Sequence, residues 1–117
     1  VFMAMDYIKE RLAADGGDSS HVYMAGDSGG ACLITYANAI QNSTNIARAA
    51  NVTPSGLRIN ALGLISGMFY TSRFDKIGLF LPKYLYGRDY KKTSFAKYVN
   101  PYRGLSCSTK ILKTGNC

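Results

Sequence analysis

The chain has 117 residues, 47% of them hydrophobic, three cysteines and a net charge of +7. That suffices for one domain with a modest core, not for two. No apolar run approaches the roughly 18 residues that span a bilayer, and Val1 opens an amphipathic pattern without the basic, apolar and small-residue order of a signal peptide.

The first segment is predicted as a helix. Val1, Met5, Ile8 and Leu12 recur at helical spacing, with Asp6, Lys9, Glu10 and Arg11 between them, and Gly16-Gly17 is expected to end it. After the turn residues Asp18-Ser19-Ser20, a short apolar run from His21 to Ala25 predicts a buried strand, with His21 at its start, hydrogen-bonded locally or solvated. Helical spacing returns from Gly29 to about Gln41, placing Leu33, Tyr36, Ala37 and Ile40 on one side. Asn42 to Pro54 is polar and turn-rich, Leu57 to Ile65 predicts a second buried strand, and short helices are expected over Phe80–Tyr86 and Ser94–Tyr98. Strand alternating with helix predicts an α/β fold, a parallel sheet flanked by helices.

The charge is uneven. Val1 to Leu57 holds three basic and five acidic residues, whereas Arg58 to Cys117 holds eleven basic residues against Asp75 and Asp89. A basic half raises the possibility of a non-catalytic anion-binding module on Arg58 to Lys113, but its cations are scattered singly apart from Lys91-Lys92, and no nucleic-acid-binding signature accompanies them. A solvated surface is the expectation, and nucleic acid is not an expected partner. Cys32, Cys107 and Cys117 cannot all pair within one chain and have no metal-ligand spacing, so they read as free thiols of a reducing, cytoplasmic compartment, with a Cys107–Cys117 bridge as the alternative.

Between the first strand and the second helix stands Gly26-Asp27-Ser28-Gly29-Gly30. A G-x-S-x-G in that position is the pattern of a nucleophile elbow: a sharp turn exposes the serine hydroxyl, glycines two positions to either side avoid collision, and the next amide faces the site of a developing oxyanion. Ser28 is accordingly the candidate nucleophile, Gly29 the oxyanion-hole donor, and Gly26, Asp27 and Gly30 the shapers of the turn. A serine that merely caps the helix is the alternative. Chymotrypsin-like proteases also write GDSGG, but in all-β barrels with proline next; here Ala31 and a helical pattern follow. His21, seven residues before Ser28 across one strand, cannot reach its hydroxyl.

The stretch resembles the hormone-sensitive-lipase-like branch of the α/β-hydrolases, whose elbow is typically GDSAGG and appears here as Gly26-Asp27-Ser28-Gly29-Gly30-Ala31. The preceding helix and strand, Ser66-Gly67, Tyr84-Leu85-Tyr86-Gly87 and Tyr98-Val99-Asn100-Pro101-Tyr102 extend the likeness over Val1 to Gly104. The resemblance implies a carboxylic-ester hydrolase forming an acyl-enzyme on Ser28 with small or short-acyl esters, without a cofactor. It also implies a triad in the order Ser, acid, His and an upstream His-Gly-Gly-Gly loop, neither complete here. No histidine follows Ser28, Asp75 and Asp89 qualify as the acid by order alone, and residues 105–117 depart from the family. The chain, opening inside a helix without an initiator Met, is therefore expected to be the central piece of one α/β-hydrolase domain, incomplete at both ends; a degenerate, inactive copy is the alternative.

Overall fold

Strands lie between helices along the described chain. The computed structural model describes residues 1–67, 69 and 76–99, in the order α1 (Phe2–Arg11), β1 (Tyr23–Asp27), α2 (Gly29–Asn42), α3 (Thr44–Ala50), β2 (Ala61–Ile65) and α4 (Lys76–Tyr86), followed by two 3-10 turns at Tyr90–Lys92 and Ser94–Tyr98. The described residues thus form a mixed α/β structure of four helices and one two-stranded parallel sheet. No described helix is long and apolar enough to cross a membrane.

The strands pair in register from Tyr23 with Ala61 to Asp27 with Ile65, so β1, α2, α3 and β2 make one crossover unit. Helix α2 is its centre. It carries no charged residue, and its side chains from Ala31 to Ile40 are buried except Leu33. A helix apolar on nearly every side must be covered nearly all round, and β1, β2 and α3 supply that cover. Leu33, expected on the packed side, is 53% exposed because these neighbours leave its direction open.

Two clusters hold the layers together. Met5, Ala37 and Leu57 pack with Phe2, Leu12, Val22, Met24 and Ile59, fixing α1 against α2 and the strands. Ala39, Ile40, Ile46 and Ala47 pack with Phe2, Val52, Phe95 and Tyr98, joining α2 to α3 and the second 3-10 turn. Because α1 is anchored through Phe2, Met5 and Leu12, Ile8 stays 44% exposed, against the expected Val1–Met5–Ile8–Leu12 face. Helix α1 also stops at Arg11, before the predicted glycine cap; Gly16, at φ 77°, instead closes a further turn in which Gly17 N–H donates to Leu12 O at 2.7 Å.

Both strands start later than expected and are less buried. His21 is held in a turn by Asp18, so β1 begins at Tyr23. Gln41 clamps the approach to β2: its amide donates to Ser55 Oγ and Leu57 O at 2.8 and 2.9 Å, and its oxygen accepts from Gly56 N–H at 3.2 Å. Only beyond this clamp does the chain enter the ladder, at Ala61. In each strand one face is half-buried beneath α2 and the other is exposed, so among the described residues the sheet is covered on a single side. Within the stretch expected to be turns lies α3, capped by Ser43, which accepts from Ile46 N–H, and closed by Asn51 at φ 52°.

Candidate active site

At the carboxyl end of β1 the chain turns from strand to helix in one residue. Ser28 takes φ 50° and ψ −113°, a backbone setting that costs a residue with a side chain on the order of 1–3 kcal/mol. It stands at the N-cap position of α2, yet its hydroxyl makes no capping hydrogen bond and it is exposed. The main chain holds the turn instead. Ser28 N–H donates to Ile65 O at 2.9 Å, carrying the ladder one rung past β1, while Ser28 C=O accepts Cys32 N–H at 3.4 Å as the first bond of α2.

The glycines around Ser28 differ in what they do. A Cβ on Gly26 would lie 2.6–2.8 Å from the backbone of Gly30 and Ala31, so strand and helix can approach this closely only with glycine at 26. A Cβ on Gly30 or Gly29 would meet nothing within 4 Å. The expectation that Gly30 also relieves a collision across the turn is therefore corrected: its Cβ direction points away from β1 into open space. Gly29 opens α2, where backbone N–H groups lack helical acceptors and point past the helix end. Asp27 is exposed at the last ladder position, opposite Ile65.

The chain's single histidine lies at the opposite end of β1 from Ser28. Five strand residues at roughly 3.3 Å each put well over a hydrogen-bond length between them. His21 Nδ1 is instead 2.6 Å from Asp18 Oδ2 and 2.9 Å from Ser20 Oγ in an exposed turn. Hydrogen bonds from Ser20, and then from His21, hold the Asp18 carboxyl below its ordinary range. Of the two acids eligible by order, Asp89 is exposed and pairs with Lys92 at 2.8 Å, and Asp75 lies outside the described residues, as do Cys107, Cys117 and the tail from Leu105. Cys32, a free cysteine, is buried in α2, which pushes its thiol pKa up.

One residue that sequence reasoning passed over as a site stands beside Ser28. Ser66, directly after β2, is exposed and also has positive φ, 48°. Since Asp27 pairs with Ile65, Ser28 and Ser66 leave adjacent strands side by side. The available signal was a Ser-Gly pair closing an apolar run. Elsewhere, a shallow cleft of about 250 Å³ is lined by Asn45, Arg48, Ala49, Ser94 and Lys97. Among the described residues no group of three or more His, Cys, Asp or Glu could hold a metal ion.

Compared with known proteins, the chain matches no family model, no curated protein and no solved structure.

Proposed function

We propose that this chain carries the nucleophile of a carboxylic-ester hydrolase, with a core of the α/β-hydrolase type resembling the hormone-sensitive-lipase-like branch. The observation that carries the reading is Ser28 itself: an exposed hydroxyl at positive φ, between a parallel strand and a buried helix, engaged in no cap. Strain at a non-glycine residue persists where the surroundings enforce it, and sites of chemistry are where such enforcement concentrates.

In this reaction Ser28 Oγ adds to the ester carbonyl while its proton passes to a histidine outside this 117-residue sequence. The Gly29 amide helps hold the oxyanion. The C–O bond to the alcohol then breaks as the histidine returns the proton to it, and water releases the acyl group from Ser28 as a carboxylic acid by the same steps. Asp27 shapes the turn and moves no proton. Small or short-acyl esters are the substrates, and no cofactor takes part. Two of the basic residues behind the anion-binding alternative have local partners: Lys92 is paired with Asp89, and Lys97 lies 5.0 Å over the Tyr98 ring.

The test compares the product of the uninterrupted source gene with its Ser28→Ala variant. A fluorophosphonate is expected to label the first at Ser28 and not the second, and p-nitrophenyl acetate hydrolysis is expected to fall about a thousandfold or more. The 117-residue chain alone is expected to hydrolyse the ester no faster than its own Ser28→Ala variant, lacking a base. Equal labelling and turnover in the two long proteins would sink the reading.

A further inference from the structure

The parallel ladder stops at the turn around Ser28. Ser28 N–H donates to Ile65 O, and in a parallel pair the next rung would run from Gly67 N–H to Ser28 C=O. That rung is absent: Ser28 C=O is turned into α2 and accepts from Cys32 N–H. Gly67 N–H therefore has no acceptor among the described residues, at the strand end that also bears Ser28. Its carbonyl accepts from Phe69 N–H at 3.1 Å, and the Phe69 ring fills the space a side chain at 67 would need, so position 67 is held in place and closed on that side. Ser66, immediately before it, turns at positive φ with its side chain exposed. A freed amide and a hydroxyl thus leave β2 at the level where Ser28 leaves β1, about one strand spacing (~4.8 Å) away.

We propose that Ser66 Oγ and the Gly67 amide form a substrate-binding pair, donating hydrogen bonds to an acceptor oxygen of the ester as it lies against Ser28. The inference rests on the reading of Ser28 as the nucleophile. Both groups are donors, and an ester offers only acceptors. Such contacts exist before and during acyl transfer alike, so their loss weakens binding without slowing the chemical step.

The experiment uses the product of the uninterrupted source gene with Ser66→Ala, Ser66→Gly and Ser28→Ala. Alanine removes the hydroxyl and keeps the backbone strain, whereas glycine removes both, so a shared effect belongs to the hydroxyl. Both Ser66 variants are expected to raise KM for p-nitrophenyl acetate about two- to tenfold, the worth of one hydrogen bond, with kcat within twofold. Unchanged KM in both, a rise in the alanine variant alone, or a fall in kcat at constant KM would overturn the pair while leaving the esterase reading intact, provided Ser28→Ala is inactive. Undiminished hydrolysis by Ser28→Ala would overturn both.

Discussion

A methyl group at position 26 has nowhere to go. Its neighbours would be the carbonyl carbon and oxygen of Gly30 and the nitrogen of Ala31, all main-chain atoms of the first turn of α2. A flexible side chain could swing away; a helix backbone cannot without moving the whole element. Gly26→Ala is therefore expected to cost about 1–3 kcal/mol, seen as a lower urea midpoint, whereas Gly30→Ala should be neutral or slightly stabilising because alanine favours the helix and meets nothing there. Equal midpoints for the two variants would contradict the geometry. The sequence showed two symmetrical glycines about a serine and gave no means of ranking them. Their difference arises from the angle at which α2 leaves β1, a property of tertiary packing that spacing does not encode.

At the scale of elements, Tyr36 ties α2 to the end of α4 and to the chain that follows it. Its hydroxyl lies 2.9 Å from Tyr86 Oη and donates to Tyr98 O at 2.9 Å, and its ring meets Tyr86 edge-on and Phe95 at a tilt. Burial raises its pKa far above the ordinary tyrosine range, so the folded chain keeps a proton that an unfolded tyrosine gives up near pH 10. Stability from this group is complete below about pH 10 and drains away as the pH rises beyond it. Tyr36→Phe is expected to lower the unfolding free energy by about 1–3 kcal/mol at pH 7, with the gap to the wild type narrowing between pH 10 and 12. A gap that stays constant with pH would contradict the assignment.

The order of helices and strands was largely legible, because hydrophobic period and glycine punctuation are local. What escaped was non-local. Helix α3 lies in a stretch whose polar, turn-rich composition predicts turns, although Ser43 before it and Asn51 after it are ordinary cap residues, because seven residues give too short a period to register. The strands start later than their apolar runs predict because the Gln41 clamp and the Asp18–His21 turn act through side chains. For the site, the turn around Ser28 could be named from GDSGG, while Ser66 could be placed beside it only through the register.

At the scale of the molecule, the sheet is a layer that the described residues cover on one side only. Tyr23 and Ile65, 63% and 58% exposed, stand on the face away from α2, and Leu79, Phe80 and Tyr84 add apolar area on α4. Parallel sheets ordinarily carry cover on both faces, and uncovered apolar surface drives association. The 117-residue chain alone is expected to self-associate as its concentration rises in sedimentation velocity, more strongly in high salt, which screens the repulsion of a +7 charge. Tyr23→Lys with Ile65→Lys should return it towards monomer. A wild-type chain that stays monomeric throughout would show that this face is tolerated in water.

The hydrogen bond from Ser28 to Ile65 also sets an order of events in time. Its partners are 37 residues apart in the sequence, and a parallel pair cannot be joined by a tight hairpin. Helices α2 and α3 can form from local contacts, but this bond must await the closure of the whole crossover, a slow and entropically costly step. On a ribosome, the nascent chain carries residue 28 long before it carries residue 65. The serine would thus travel through synthesis without the constraint that sets its backbone, and gain it only once the second strand docks.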